Sequence, residues 1–179
     1  MNEAKNLPTV AATVAEDHQY LTFLLSSEMF AIPILNIKEI IEFGSLTEVP
    51  MMPGFIRGVI NLRGKVIPVI DLRVKFKFPK AEFNERTCMI VVSVKLPSTQ
   101  PALVGLIVDV VEEVMSVNSQ DMEAAPNFGT KLDTEYILGM AKTKDSVKTI
   151  LDIDRVVTAD TLRTLSDKTD GRTLESTPP

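Results

Sequence analysis

The side chains best able to do chemistry in this sequence are carboxylates. Glu39 and Glu42, Glu112 and Glu113, and Asp71 and Asp152 are the visible pairs. General acid–base catalysis needs two such groups converging on one substrate, and spacing along a chain does not set that separation. Asp71 and Asp152 end matching apolar runs, where the expected role is to cap the turn or helix that follows. His18 is the sole histidine and lies beside a polar N-terminal stretch, so neither a histidine triad nor a multi-histidine metal site is expected. The one cysteine, Cys88, opens the apolar run Cys88-Met89-Ile90-Val91-Val92 and reads as a small buried hydrophobe rather than a reactive thiol. A single cysteine forms no intrachain disulfide, which fits a reducing compartment. Neither Gly-x-x-x-x-Gly-Lys nor Gly-x-Gly-x-x-Gly occurs among the 8 glycines, so the usual phosphate cradles are missing. These features point to a binding protein, not an enzyme, with no metal and no cofactor.

The most distinctive segment is Pro53-Gly54-Phe55-Ile56-Arg57-Gly58-Val59-Ile60-Asn61-Leu62-Arg63-Gly64-Lys65. Gly58 and Gly64 bracket a short strand, and Asn61 with Gly64 predicts a tight turn containing a positive backbone angle. Arg57, Arg63 and Lys65 make it the most basic stretch of an acidic chain. Arginine beside a groove suits a protein partner, through planar hydrogen bonding and stacking.

Net charge is −5, from 19 basic and 24 acidic residues, which lacks the basic excess that neutralises nucleic-acid phosphates. With 8 Phe, 2 Tyr and no Trp, the chain also lacks the basic face interleaved with aromatics of a single-strand-binding barrel. No signal peptide is evident and no apolar window is long enough to cross a bilayer, so a cytoplasmic location is expected. A length of 179 residues with 45% hydrophobic content can bury one full core or two small linked ones.

The elements that must position these residues are mainly strands. Tyr20 to Leu25, Phe30 to Ile34, Val66 to Ile70, Met89 to Val94, Leu103 to Val108 and Val147 to Ile153 are short, rich in β-branched residues and bounded by turn formers. Leu35 to Glu42 is predicted as a short helix capped by Asn36, with Glu39 three residues on, and Asp160 to Leu165 as a second. Pro68 is expected at a sheet edge or a bulge, because proline donates no ladder bond. Residues 1–17 and 166–179 are polar and aperiodic and are expected to be flexible tails flanking a body over 18–165.

The chain also repeats itself. Residues 55–72 superpose without a gap on residues 136–153 at a constant offset of 81, matching Ile56 with Ile137, Gly58 with Gly139, Val66 with Val147 and Asp71 with Asp152. Upstream, Ala31 to Ile40 lies over Gly105 to Val114 at an offset of 74. Each unit, roughly 18–80 and 86–160, holds four or five strands, suited to a small barrel that removes its own edges. The seam between two such barrels is an expected binding groove.

Tyr20-Leu21-Thr22-Phe23, Phe30-Ala31-Ile32-Pro33-Ile34, Ile37-Lys38-Glu39-Ile40, Arg57-Gly58-Val59-Ile60-Asn61-Leu62-Arg63-Gly64, Val69-Ile70-Asp71-Leu72-Arg73, Gly105-Leu106-Ile107-Val108-Asp109 and Ala125-Pro126-Asn127-Phe128 together resemble the CheW family of bacterial chemotaxis coupling proteins, over about residues 18–160. The resemblance implies two intertwined SH3-like five-stranded β-barrels with a few short helices. It also implies a non-enzymatic adaptor that joins the cytoplasmic tips of methyl-accepting chemotaxis receptors to the regulatory domain of the histidine kinase CheA, meeting the membrane only through the receptors. Matched to the family's motifs, Ile37, Glu39, Gly58, Arg63 and Val114 fall at receptor-binding positions. Glu123 and Phe128 fall at kinase-binding positions, with Glu123 where some relatives carry a basic residue. Each has a structural alternative: core packing for Ile37 and Val114, a turn requirement for Gly58, a helix cap for Glu39. An adaptor of the same fold serving another chemosensory pathway, such as pilus motility, is the alternative function.

Overall fold

The computed structural model describes residues 18–79, 81–96, 100–126 and 134–157. Among the described residues there are eleven strands: β1 (His18–Leu25), β2 (Glu28–Pro33), β3 (Ile37–Glu42), β4 (Ile56–Leu62), β5 (Lys65–Asp71), β6 (Cys88–Val94), β7 (Ala102–Val108), β8 (Val110–Val117), β9 (Met122–Glu123), β10 (Ile137–Lys142) and β11 (Val147–Leu151). Two one-turn helices, α1 (Leu72–Lys75) and α2 (Ile153–Val156), follow β5 and β11. The expected tails and the expected helix at 160–165 lie outside the described residues.

The strands form two sheets, in the orders β8-β1-β2-β11-β10-β9 and β3-β6-β7-β5-β4. Under the sequence repeat, β3, β6, β7, β5 and β4 correspond to β8, β1, β2, β11 and β10, so the sheets share one topology and β9 is an addition to the first. Each sheet draws strands from both halves of the chain. The spans 18–80 and 86–160 therefore mark repeats in sequence and not the two sheets: β1 and β2 pair with the second half, β6 and β7 with the first. The exchange arises because β2 pairs in parallel with β11, and β5 with β7, across the repeat boundary.

Burial explains the mutual dependence of the sheets. One core contains Phe23, Phe30, Ile32 and Leu151 from the first sheet with Ile70, Ile90, Val104 and Leu106 from the second. Behind it lie two smaller clusters, one of Tyr20, Ala31, Val117, Ala141 and Ile150, the other of Val69, Met89 and Ile107. Central strands are thus buried on both faces: in β2, Phe30 and Ile32 face the shared core while Ala31 faces the small one, as the two-residue period of a strand requires. Fully burying one such side chain is worth about 1.5–3 kcal/mol, so neither sheet keeps its core without the other.

The repeat is visible atom by atom. The Asp71 N–H donates to Phe55 O at 2.8 Å and the Asp152 N–H to Tyr136 O at 2.9 Å. The register slips between Ile56 and Gly58, and again between Ile137 and Gly139. Asp71 caps α1 by accepting from the Arg73 N–H at 3.0 Å, and Asp152 caps α2 by accepting from the Arg155 N–H at 3.2 Å, the capping role expected for both.

Two expectations are corrected. Leu35 to Glu42 is not a helix: a single 3₁₀ turn at Ile34–Asn36 leads into β3, whose residues alternate between half-buried and exposed. Ile40 is exposed, Ile37 packs on the shared core and Ile41 on the cluster of Val69, Met89 and Ile107, so the isoleucines share no single face, and their branched Cβ atoms favour a strand. Asn36 makes no cap; its Nδ2 donates to Ser93 O at 3.3 Å. Pro68 lies in an interior strand, not at an edge. Val59, opposite it, exchanges both backbone bonds with Thr47, so Val59 and Pro68 are a pair with no hydrogen bonds between them. The Pro68 nitrogen therefore faces the β7 side, where the ladder starts one residue later at Val69.

Candidate partner-binding site

The Arg63 turn is built from its own sequence. Leu62 pairs with Lys65, leaving Arg63 and Gly64 as a two-residue loop with φ of 51° and 85°, the arrangement that matches the twist of the flanking strands. Asn61 Oδ1 accepts from the Gly64 N–H at 2.9 Å and fixes the loop. Arg63 holds a conformation that costs a residue with a Cβ about 1–2 kcal/mol. Its side chain, 79% exposed, projects from the tip and donates from Nη2 to Glu39 Oε2 at 2.9 Å.

That ion pair joins β3 to the β4–β5 hairpin, and β3 and β4 are the two ends of their sheet. A second tie lies below it, where Thr47 in the β3–β4 connection bridges Val59 with N···O distances of 3.0 and 2.9 Å. The bridge passes so close to Gly58, whose φ is 146°, that a Cβ there would lie 2.2 Å from Thr47 O. Gly58 is thus required by close backbone approach. Ile37 lies in β3 near Glu39 and packs partly on the shared core. The structure therefore brings Ile37, Glu39, Gly58 and Arg63 into one edge region. Val114 is half exposed on β8 of the other sheet, paired with Leu21. Glu123, in β9 at the far edge of that sheet, is exposed and ion-paired with Lys142. Phe128 lies outside the described residues.

A buried ion cluster stands apart from these edges. Arg73 lies along Asp71, with Nε to Oδ1 at 3.0 Å and Nη2 to Oδ2 at 2.9 Å, and both residues are almost fully buried. Its Nη1 donates to Asp109 Oδ1 at 2.8 Å and to Ala81 O at 3.2 Å. The Asp71 hydrogen bonds raise the Arg73 pKa above its ordinary value against the opposing effect of burial, so Arg73 is charged at any physiological pH. The guanidinium also lies 4.9 Å from the centre of the Phe83 ring, which stacks on Phe43 at 4.1 Å. Every polar atom of the cluster is used internally, which leaves a structural role. Asp109 and Phe83 were not singled out by sequence reasoning. Asp109 reads locally as a turn residue between two strand runs, and only the arginine two residues after Asp71 hinted at a buried pair.

His18 is exposed at the start of β1, as a solvated residue there would be. Cys88 is half-buried against the shared core, with its Sγ 3.2 Å from Arg86 O.

The family model described as the CheW-like domain matches residues 19–161. The chain belongs to the CheW-like family. It is 33% identical over 156 residues to the chemotaxis protein CheW of Klebsiella aerogenes, covering 86% of this chain and 91% of that protein. It is 31% identical over 149 residues to the chemotaxis protein CheW of Bacillus subtilis, covering 83% and 92%. The crystal structure of the scaffolding protein CheW from Thermoanaerobacter tengcongensis superposes with a TM-score of 0.72 at 33% identity, covering 81% of this chain and 95% of that one. The fold is accordingly CheW-like, and the chain is a member of a family of chemotaxis scaffolding proteins, not of enzymes. No helix among the described residues is long and apolar enough to cross a membrane.

Proposed function

We propose that this chain couples methyl-accepting chemoreceptors to the histidine kinase CheA by holding both at once on separate surfaces. The receptor's cytoplasmic tip takes the edge formed by Ile37, Glu39 and Arg63, with Gly58 supporting it from below and Val114 extending it onto the other sheet. The kinase's regulatory domain takes the β9 edge at Glu123, with Phe128 beyond it. The protein then works in the cytoplasm at receptor arrays and meets the membrane only through the receptors.

The observation that carries the receptor side is the Arg63 tip: a strained, exposed arginine at the end of the β4–β5 hairpin, ion-paired to Glu39 on β3. Ile40 beside Glu39 is 44% exposed and Val66 beyond the turn is 70% exposed. An exposed arginine held in a fixed turn is a residue type that anchors protein interfaces. Binding by such a patch transmits a conformational bias only as far as its contacts differ between two receptor states.

Calorimetric titration with a receptor tip fragment and with the CheA regulatory domain, wild type beside Arg63→Ala, tests the reading. Both should bind the wild type, and the substitution should weaken the receptor at least tenfold while leaving the kinase within twofold. A folded wild-type protein that binds neither partner would overturn the reading. Equal receptor affinity for the variant would remove Arg63 from the site.

A further inference from the structure

The chain passes between the sheets twice among the described residues, through the 3₁₀ turn between β2 and β3 and at Asp109 between β7 and β8. Asp109 does more than connect. Its Oδ2 accepts from the Ser26 N–H at 2.6 Å, at the β1–β2 hairpin of the first sheet, and its Oδ1 binds Arg73 of α1, which follows β5 of the second. One carboxylate therefore spans both sheets, and Arg73 anchors it to Asp71 behind. Asp109 is itself tied to the first sheet a second time, its N–H donating to Leu24 O at 3.0 Å.

The repeat supplies the comparison. Leu25 opposes Glu28 in the β1–β2 pair as Val94 opposes Ala102 in the β6–β7 pair, so Ser26 corresponds to Lys95. Arg73 corresponds to Asp154 at the offset of 81. At this second position the helix residue reaches the hairpin end directly: Asp154 Oδ1 accepts from the Lys95 N–H at 2.8 Å. The same two points of the fold are thus joined twice, by different chemistry. One joint is a cluster of two carboxylates and one guanidinium in which Arg73 and Asp71 are buried and Asp109 is partly so, with the Phe83 ring beside Arg73; the other is one hydrogen bond at the surface, where water competes with it.

We propose that Asp109 is a positioning residue, forming with Arg73 the fixed joint that sets the angle between the sheets, while the Lys95–Asp154 contact is the loose one at which they separate. Motion between the sheets pivots at Asp109 and opens at Asp154. Buried ion clusters add little net stability relative to apolar packing; here, displacing Asp109 takes one of two carboxylates from the buried Arg73 guanidinium and the acceptor from the Ser26 N–H, so the cluster favours one geometry. Since Glu39 and Arg63 of the proposed receptor surface lie on the second sheet and Glu123 of the kinase surface on the first, the joint also fixes how one is presented relative to the other. Only this last step rests on the two-partner reading.

The test uses the free full-length chain. Spin labels at Glu42→Cys on β3 and Lys144→Cys in the β10–β11 turn, in a Cys88→Ser background, report the distance between the sheets by pulsed electron resonance. The expected result is a single narrow distribution, broadened at least twofold by Asp109→Ala and by Asp109→Asn and left at its original width by Asp154→Ala. If Asp109→Ala does not fold, Asp109→Asn decides alone: it keeps the size and the acceptor for Ser26 but not the charge facing Arg73, and circular dichroism verifies its fold. An unchanged width in the Asp109 variants, or equal broadening by Asp154→Ala, would overturn the proposal. Because no partner is present, that failure is separate from failure of the two-partner reading.

Discussion

Substituting Gly58 by alanine should cost several times more than the same change at Gly64, though both glycines have positive φ and lie in one hairpin. At Gly58 the added Cβ falls 2.2 Å from Thr47 O, 2.9 Å from Thr47 C and 3.2 Å from Glu48 Cα. All three are backbone atoms, so no side-chain rotation relieves the overlap and the β3–β4 connection must move by about 1 Å to restore ordinary contact. That movement breaks the Thr47–Val59 bridge, two hydrogen bonds worth about 0.5–1.5 kcal/mol each. A residue with a Cβ held at φ of 146° adds about 1–3 kcal/mol of strain. The total is about 2–6 kcal/mol, a large part of the roughly 5–15 kcal/mol that stabilises a domain. At Gly64 nothing lies within 4 Å of the added Cβ, so strain alone remains, about 1 kcal/mol. Urea unfolding followed by circular dichroism measures both, and the melting temperature should fall by about 4–24 °C for Gly58→Ala at about 2–4 °C per kcal/mol. A Gly58→Ala protein within 1 kcal/mol of wild type, or a Gly64→Ala protein less stable than it, would refute the reasoning. Under the proposed receptor site, weaker receptor binding by Gly58→Ala would follow from a displaced edge, not from a lost contact.

Arg63→Asn should raise stability by about 0.5–1 kcal/mol, because asparagine tolerates the left-handed turn better and the exposed ion pair with Glu39 contributes little; paired melting and receptor titrations should show stability and binding moving in opposite directions. Asp71→Ala should cost about 3–5 kcal/mol by leaving the buried Arg73 charge with Asp109 as its one remaining carboxylate and removing the cap of α1, whereas Asp152→Ala, at the matching position but with its Arg155 partner in solvent, should cost about 0.5–2 kcal/mol; similar losses in urea unfolding would contradict the burial argument. Burial raises the Tyr20 pKa above its ordinary value. The folded state therefore keeps that proton longer than the unfolded chain does, and its stability falls as pH rises past about 10. Thermal melts between pH 9 and 11 should show wild type losing ground to Tyr20→Phe across that window, and parallel curves would exclude the effect.

The parts legible in the sequence were those enforced by local backbone demands. Gly58 and Gly139 mark the same register slip, Asp71 and Asp152 the same cap, and Asn61 with Gly64 the same kind of turn that the structure contains, so the repeat and the hairpin could be read directly. Strand exchange was not readable, because the pairing of β2 with β11 and of β5 with β7 depends on residues more than thirty positions apart, and the apolar pattern of a buried strand is the same whichever neighbour it finds. The segment from Leu35 to Glu42 misled because four aliphatic side chains in eight residues fit a short helix nearly as well as a strand, and its pairing with β6 decides the outcome. Among the candidate site residues, the motifs singled out Glu39 and Arg63 separately, and the direct contact between them was not readable from the sequence. Asp109 was invisible as a functional residue because a lone carboxylate between two strands looks like any turn until its two partners, from opposite sheets, are in view.

The most direct test of the scaffold account is sedimentation of all three components together: this chain, the CheA regulatory domain and a receptor tip fragment, each with a distinguishable chromophore. The account predicts one complex containing all three, its receptor signal lost with Arg63→Ala and its kinase signal retained. Mutually exclusive binding, with the receptor fragment displacing the kinase domain as its concentration rises, would contradict the claim that the two partners occupy separate surfaces.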